Sequence, residues 1–353
     1  MISAMKRRGG DHGGIHQDTA ARVAPGPGMR GWPRAVLGVV ALAALLSGCA
    51  SSQPASHPVT SSIGNFPDPF VLPDASGYYA YATNGDGKNV PVLHSSDLQA
   101  WRALPDAMPA LAGWVRKEVP HVWAPEVVKL GERYVLYYTA HDLASDRQCV
   151  GAAVASAPAG PFVDSASKPL ICQAELGGTI DASPFLEGGR LYLYFKSDGN
   201  CCQQPTHIFV QELRPDGLAV SGEPVKLLTN GRPWEGKVIE APTMVKRDGK
   251  YVLFYSANDF GNGSYAVGHA SCAGPAGPCQ PVDGSPFLKS RAERNLYGPG
   301  HQVVFRVGEQ DFIAYHAWEL KADGTRAERR FLYIDKLDWV DGKPVVRGTT
   351  LVR

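Results

Sequence analysis

The sequence predicts an all-β chain folded as a five-bladed β-propeller. Three observations predict it: a Tyr-rich strand pattern that occurs five times, a nearly constant spacing between its copies, and the near absence of helical periodicity. The residues that follow the first position of each copy fall at 78, 134, 191, 251 and 312, in steps of 56, 57, 60 and 61 residues. A pair of β-sandwiches would not give five such equal steps, so we favour the propeller.

Each repeat contains the same succession of short strands. The Tyr-rich strand is the second of its unit, and its five copies begin at Gly77, Arg133, Arg190, Lys250 and Asp311. A shorter apolar run led by Pro or Gly precedes each copy, turn residues such as Asp248-Gly249 separate the two, and further strands follow. About four strands in each of five units predict one propeller domain over residues 63–353.

The first 49 residues predict an export signal outside the fold. An apolar stretch at residues 35–46 follows two arginines and is too short to span a membrane, and the small residues before Cys49 resemble a bacterial lipobox, in which the cysteine is lipidated. Met29 is a candidate true start, and residues 50–62 predict a flexible tether. We therefore expect an exported monomer, held in the bacterial cell envelope only by its lipid, with an ordinary cleaved signal peptide as the alternative.

Six further cysteines predict disulfide bonds, because an even number in an oxidising compartment favours them. Cys272 and Cys279 flank a Gly/Pro-rich loop and form the first expected pair, and Cys149 with Cys172 forms the second. The adjacent cysteines at 201 and 202 are left without an assignment. A metal cluster is disfavoured, because no Cys-x-x-Cys with matching His spacing is present.

The charge balance restricts the class of ligand. The chain has 35 Lys and Arg residues against 34 Asp and Glu residues. A nucleic-acid-binding protein would carry a basic stripe, so no nucleic acid partner is expected. The balance is compatible with a neutral, polyhydroxylated ligand.

Carboxylates occur where the first strand of several blades begins. In a propeller these positions gather at one mouth of the central channel. The chain offers Asp68, Asp181 and Glu240 there, accompanied by Glu126 and His301. Acids crowded around an axis repel one another, and that cost usually marks function. Glycoside hydrolysis by inversion uses two carboxyl groups roughly 6.5–9.5 Å apart, which blades of a propeller can supply. The residues alone leave the substrate open.

The motifs around these acids resemble glycoside hydrolase family 43, the five-bladed propeller group of arabinofuranosidases, arabinanases and β-xylosidases. They run in the family's order from Asn65 to near the C-terminus: Asn65-Phe-Pro-Asp-Pro-Phe-Val71, Val122-Trp-Ala-Pro-Glu-Val127, Gly178-Thr-Ile-Asp-Ala-Ser-Pro-Phe185, Val238-Ile-Glu-Ala-Pro-Thr243 and Gly298-Pro-Gly-His-Gln302.

The resemblance implies roles for four of these residues. Asp68 would be the general base that activates water, and Glu240 the general acid with a raised pKa. Asp181 would orient Glu240 and keep that pKa high. His301 matches an axial histidine near a calcium ion, which would be largely water-coordinated here; a satisfied core histidine is the alternative. No cofactor is otherwise required.

Aromatic residues supply candidate sugar-binding surfaces, because apolar sugar faces pack on rings. Trp123 is the first candidate, and Phe260 and Tyr297 lie in loops that substrate could pass. His301 and His316 are expected near the sugar, His316 in the family's usual Tyr-His pair.

Three alternatives to an arabinose-releasing enzyme stay open. A β-xylosidase of the same family is the nearest, although Glu240-Ala-Pro in place of Glu-Gly-Pro favours arabinofuranosyl linkages in arabinan or arabinoxylan. A retaining fructan-cleaving relative would show Asn-Asp-Pro and Arg-Asp-Pro motifs, where this chain has Phe66-Pro-Asp-Pro and Thr179-Ile-Asp-Ala. A surface lipoprotein that binds glycan without cutting it would be expected to lack one of the three acids. Whether the enzyme acts in exo or endo mode depends on whether loops block one end of the groove, and the sequence does not say.

Overall fold

The computed structural model describes residues 65–348, which form five antiparallel sheets. The predicted signal peptide, the start at Met29, the lipidated Cys49 and the tether lie outside the described residues. Within 65–348, no helix combines the length and the apolar character that crossing a membrane requires.

Nineteen strands make up the five sheets, which we number as blades in chain order. Blade 1 contains β1 (Phe70–Asp74), β2 (Gly77–Tyr81), β3 (Val92–Ser95) and β4 (Arg102–Ala103). Blade 2 contains β5 (Trp123–Leu130), β6 (Arg133–His141) and β7 (Gln148–Ala155). Blade 3 contains β8 (Thr179–Glu187), β9 (Arg190–Ser197), β10 (His207–Leu213) and β11 (Val220–Thr229). Blade 4 contains β12 (Ile239–Arg247), β13 (Lys250–Ala257), β14 (Ala266–Cys272) and β15 (Cys279–Pro281). Blade 5 contains β16 (Tyr297–Val307), β17 (Gln310–Leu320), β18 (Arg326–Val340) and β19 (Lys343–Arg347).

The predicted five-bladed β-propeller is confirmed. In every sheet the strands pair in chain order, and the first strand of each blade contacts the first strand of the next, with β16 returning to β1. Blade 2 departs from the expectation of four strands. After β7, two isolated antiparallel bridges, Val154 to Val163 and Val150 to Ile171, take the place of a fourth strand. The segment contains Pro161, which has no N–H to donate to a ladder.

The hydrophobic core lies between the blades. Five buried clusters occur, one for each pair of neighbouring blades, including the pair formed by blades 5 and 1. The tyrosines of the repeated strand supply much of this core, and Tyr81, Tyr137 and Tyr255 are fully buried. Their hydroxyls keep a hydrogen bond, as where Tyr137 donates to the carbonyl oxygen of Gly217 at 2.9 Å. The repeat therefore reflects packing between blades.

The seam between the first and last blades is held by residues near both ends of the described chain. The N–H of Phe66 donates to the carbonyl oxygen of Arg330 on β18 at 2.9 Å, and the N–H of Arg330 donates to Asn65 Oδ1 at 2.8 Å. Phe66 is itself buried in the cluster shared by blades 5 and 1. No strand is exchanged between the two blades among residues 65–348, so closure depends on these contacts.

Disulfide bonds join all six cysteines of the propeller. They link Cys149 to Cys172 and Cys272 to Cys279, the two pairings expected from the sequence, and they link the adjacent Cys201 and Cys202 to each other.

Candidate active site

Each blade carries one residue in the left-handed backbone region at the same place in its repeat, within the first strand in blades 2 to 5 and just before β1 in blade 1. These residues are Asp68 (φ 54°), Ala124 (φ 45°), Asp181 (φ 58°), Ala241 (φ 50°) and His301 (φ 50°). In blades 2 to 5 the pairing register with the second strand shifts at this place, so the strand carries a bulge there. A left-handed non-glycine residue costs about 1–2 kcal/mol, and such strain concentrates at functional sites.

A side chain in or just after the preceding blade's second strand holds four of these residues in place. Each side chain accepts the N–H of the left-handed residue, in the pairs Ala124 to Thr83 (2.9 Å), Asp181 to Thr139 (3.3 Å), His301 to Ser256 (2.8 Å) and Asp68 to His316 (3.1 Å). In blade 4 the N–H of Ala241 instead donates to the carboxylate of Asp181 at 2.9 Å. The bulges are therefore fixed from blade to blade around the ring.

The bulged strands surround a cavity of about 850 Å³ at one mouth of the propeller. All three predicted acids line it, together with three other predicted residues: Asp68, Asp181, Glu240, His301, Trp123 and Phe260. A cleft of this size with a few convergent polar groups is typical of a small-molecule binding site. The structure thus brings together six residues that lie far apart in the chain.

The Asp68 carboxylate lies among cationic and donor groups. Its Oδ1 atom is 3.2 Å from a guanidinium nitrogen of Arg330 and 3.3 Å from His301 Nδ1, and its Oδ2 atom accepts a 2.6 Å hydrogen bond from Thr83. Burial alone would raise the pKa of this carboxyl, but Arg330 and His301 outweigh burial and hold the pKa well below its usual range. Asp68 is therefore ionised, which is the state that a general base needs.

Glu240 shares its carboxylate between two donors. Lys196 Nζ lies 3.0 Å from Oε2, and the hydroxyl of Tyr265 donates to Oε1 at 2.7 Å. Lys196 is fully buried and also lies 3.6 Å from Asp198 Oδ1. Burial would raise the pKa of Glu240, but the positive charge of Lys196 and the hydrogen bond from Tyr265 lower it. The expected raised pKa at Glu240 is therefore wrong, because an ammonium group in contact outweighs burial and a neighbouring carboxylate.

The raised pKa belongs to Asp181 instead. Burial raises the pKa of Asp181 to about 6, and the negative charge of Glu240 adds to this, while His301 and Lys196 oppose it. Asp181 therefore retains a proton at a pH at which an exposed aspartate has lost it.

Three residues considered from the sequence do not line the cavity. Glu126 is buried on β5, and burial raises its pKa well above the ordinary value. His316 is fully buried behind Asp68 and stacks on Tyr265, with ring centroids 5.7 Å apart. Burial lowers the pKa of His316 to about 4, so the ring is neutral and positions Asp68. Tyr297 packs its ring over Gly263, where a Cβ atom would lie 2.5 Å from it.

The residues around His301 do not fit a protein-bound calcium ion. Calcium takes six to eight oxygen ligands, whereas the nearest carboxylate atom, Asp68 Oδ1, already faces His301, His316 and Arg330. Across residues 65–348, the only group of three His, Cys, Asp or Glu side chains close enough to share an ion is Asp142 with Cys149 and Cys172. The sulfurs of that group are already joined as a disulfide.

Sequence reasoning missed three charged or polar neighbours of the acids: Lys196, Tyr265 and Arg330. Lys196 carried a usable signal, because it stands at the repeat position that holds Thr83, Thr139 and Ser256 in three of the other blades. A lysine at a position otherwise held by small hydrogen-bonding side chains indicates a different role in that blade. Tyr265 and Arg330 belong to no repeated pattern, so only the folded chain reveals them.

Comparison with known proteins gives one family. The chain matches the family described as "Glycosyl hydrolases family 43" over residues 56–344. It is 26% identical over 339 residues to the α-L-arabinofuranosidase 43 of Humicola insolens, covering 89% of this chain and 69% of that one. It is 24% identical over 300 residues to the extracellular endo-α-(1→5)-L-arabinanase 1 of Bacillus subtilis (strain 168), covering 78% and 86%. A crystal structure of a thermostable family-43 glycoside hydrolase superposes with a TM-score of 0.75 at 30% identity, over 84% of this chain and 97% of that one.

Proposed function

The chain belongs to glycosyl hydrolases family 43, and on that basis we propose that this glycosidase cleaves α-L-arabinofuranosyl linkages of plant polysaccharides with inversion. The observation that carries the proposal is the convergence of Asp68, Asp181 and Glu240 on one cavity. The names of the Humicola and Bacillus relatives support arabinose as the sugar. Arabinan and arabinoxylan are the expected polymers.

Asp68 is the proposed general base. The base must be ionised before the reaction, and Arg330 with His301 favours the ionised form. Asp68 takes a proton from a water molecule as the water oxygen attacks the anomeric carbon. The bond to the leaving oxygen breaks on the opposite face of the sugar, so the product has the inverted configuration.

Glu240 is the proposed general acid, which delivers its proton to the leaving oxygen. Lys196 and Tyr265 hold the ionised form of this carboxyl, so Glu240 must gain a proton before each turnover. We expect activity to be greatest in the acidic range and to fall as rising pH deprotonates Glu240. Asp181, joined to the backbone beside Glu240 through the N–H of Ala241, orients the acid.

Trp123 and Phe260 are the proposed sugar-binding rings. Both line the cavity, and Phe260 is 51% exposed. The Arg330 guanidinium lies 5.3 Å from the ring centroid of Phe260, so Arg330 contacts both this ring and the proposed base, Asp68. A pentose ring in the cavity could pack an apolar face on either ring while its hydroxyls meet the surrounding polar groups.

Two variants test the acid and the base with different substrates. Glu240→Gln and Asp68→Asn are assayed on p-nitrophenyl α-L-arabinofuranoside and on linear arabinan, beside the wild type on p-nitrophenyl β-D-xyloside. Loss of a general acid or base costs about 10²–10⁴ in kcat. The Glu240→Gln loss should be smaller on the nitrophenyl substrate, whose leaving group needs no proton, whereas the Asp68→Asn loss should be equal on both. NMR of the first product should show the inverted anomer.

Asp259→Asn is the matched control, because Asp259 is an exposed carboxylate lining the same cavity. Its kcat should stay within about tenfold of the wild type, since it contributes no proton transfer. Turnover of the xyloside alone would replace arabinose by xylose. Full activity in Asp68→Asn would remove the proposed base.

Export with lipid attachment at Cys49 is part of the same proposal. Three disulfides in the propeller support folding in an oxidising compartment, and the Bacillus relative is named as extracellular. A Cys49→Ser variant of the full chain should move from the membrane to the soluble fraction of cells that express it. We also propose that the enzyme acts as a monomer.

A further inference from the structure

A short turn at residues 198–205 forms part of the wall of the active-site cavity. It contains a 3₁₀ segment, Gly199–Cys202, that ends in the Cys201–Cys202 disulfide. Cys201 and its neighbour Asn200 line the cavity and are exposed. One cysteine of the disulfide, Cys201, thus forms part of the wall of the cavity that Asp68, Asp181 and Glu240 line.

Hydrogen bonds and close packing fix this turn to the rest of blade 3. The N–H of Asp198 donates to Gly178 at 3.0 Å, and the N–H of Gln204 donates to Gly199 at 2.8 Å. Cys201 Sγ lies 3.4 Å from the carbonyl oxygen of Gly177. A Cβ atom on Gly199 would lie 2.3 Å from a backbone oxygen, so the turn leaves no room for a side chain there. The turn that carries the Cys201–Cys202 disulfide is therefore held in a fixed position.

Stabilisation of the fold does not account for this disulfide. A cross-link stabilises chiefly by closing a loop in the unfolded chain, and the effect grows with loop length. Cys149–Cys172 closes a separation of 23 residues and Cys272–Cys279 one of 7, but Cys201–Cys202 closes a separation of 1. The unfolded chain loses almost nothing by this last bond, so its effect lies in the surface that it presents.

We propose that the Cys201–Cys202 disulfide is a specificity-determining part of the sugar-binding surface, on which the apolar C–H face of the bound pentose packs. This inference rests on the proposed function. Divalent sulfur is apolar and polarisable and packs well against carbon, and the closed ring of the disulfide keeps both sulfurs in place before the sugar arrives. Trp123 and Phe260 line the same cavity and would contact other parts of the substrate.

Replacing the disulfide should weaken substrate binding and leave the chemistry unchanged. We compare Cys201→Ser/Cys202→Ser with Cys272→Ser/Cys279→Ser, which removes a disulfide from the β14–β15 pair that does not line the cavity. The first variant should raise KM for p-nitrophenyl α-L-arabinofuranoside about three- to tenfold with kcat within about twofold, and the control should leave KM unchanged. An unchanged KM, or a fall in kcat alone, would overturn the proposal.

A second measurement covers the case in which the double variant fails to fold. A dithiol reductant gives two electrons and two protons to the protein disulfide, which becomes two thiols, while the reductant becomes a cyclic disulfide. Cys201 is exposed whereas Cys149, Cys272 and Cys279 are buried, so mild reduction of the wild type should reach the 201–202 pair first. Alkylation with mass spectrometry identifies the reduced pair, and KM should rise in step with its reduction. A constant KM at full reduction of that pair contradicts the inference.

The two proposals can fail separately. Wild-type enzyme that cleaves no arabinofuranoside contradicts the proposed function, and the same comparison is then made on the glycoside that it does cleave. Wild-type enzyme that cleaves arabinofuranosides while the Cys201→Ser/Cys202→Ser variant keeps its KM contradicts only the inference on the disulfide.

Discussion

At the scale of single residues, Lys196 belongs to none of the five motifs, yet it is the group that most lowers the pKa of Glu240. It is fully buried, it touches Glu240, and its own positive charge is maintained by Glu240, Asp181 and Asp198, which offset the effect of burial on its pKa. A buried cation among three acids is stable only because each partner is close. The same contact that stabilises Lys196 makes Glu240 a weaker proton carrier at neutral pH.

Replacing Lys196 should therefore change the pH profile in a defined direction. Lys196→Met removes the positive charge that lowers the pKa of Glu240. The acid then keeps its proton to higher pH, so the basic limb of kcat/KM should move upward by about 1–3 pH units. The measurement is kcat/KM for p-nitrophenyl α-L-arabinofuranoside across the pH range in which the variant stays folded.

Lys237→Met is the matched control, since Lys237 is an exposed lysine lining the same cavity. Its basic limb should coincide with that of the wild type. If Lys196→Met lowers activity equally at every pH, Lys196 has only a structural role and does not set the protonation of Glu240.

At the scale of the element, the bulged first strand connects packing to catalysis. The fifth copy shows how narrow the tolerance is: a Cβ atom on Gly300 would lie 2.0 Å from the ring of Tyr265, which donates to Glu240. Gly300, which precedes the left-handed His301 in blade 5, thus lets that blade approach Tyr265, the residue of blade 4 that donates to Glu240.

Gly300→Ala should destabilise the fold and disturb the acid together. Overpacking a tight contact costs about 1–3 kcal/mol or more, and the displaced Tyr265 would loosen its hydrogen bond to Glu240. The temperature of thermal unfolding and the value of kcat/KM should both fall. Gly113→Ala, at a position with no atom within 4 Å of the added Cβ, should change neither. Normal stability in Gly300→Ala would mean that the two blades can separate without cost.

The strand pattern was predictable because it depends on period and on turn residues, both of which are local. All five Tyr-rich strands form where their copies begin or within one residue, as with β17 at Gln310. Asp68, Asp181 and Glu240 could be predicted to converge because a propeller gathers equivalent positions. The pKa order of Glu240 and Asp181 could not, since it depends on Lys196 and on contacts across blades. Tyr297 was misjudged for the same reason, because loop packing on Gly263 decides where its ring lies.

At the scale of the whole molecule, the three axial acids affect folding in opposite directions, because the fold lowers the pKa values of Asp68 and Glu240 and so favours their ionised forms. Asp181 is the acid that opposes folding, because its pKa is about 6 in the fold against 3.8 for a free aspartate. Between these values the folded protein binds the extra proton, so stability falls as pH rises from about 4 to about 6 and stays lower above that. The difference amounts to about 3 kcal/mol.

Asp181→Asn should recover this stability at the expense of activity. The amide cannot ionise, so the variant should unfold several degrees above the wild type at pH 7.5, and the difference should shrink towards zero at pH 4. Differential scanning calorimetry at the two pH values measures this. Asp86→Asn, at an exposed left-handed position, should show no such pH-dependent gain. An equal gain at both pH values would show that charge is not the cause.

The seam between blades 1 and 5 has a consequence for the order of synthesis. Asp68 is made early in synthesis. His316, which accepts its N–H, comes 248 residues later, and Arg330, which keeps its carboxylate ionised, comes 262 residues later. A nascent chain that has completed four blades already carries every proposed proton donor and acceptor, yet its base lacks the partners that keep it ionised. The cavity can become competent only when the last blade docks on the first, so the enzyme stays inactive until the whole ring has emerged and closed.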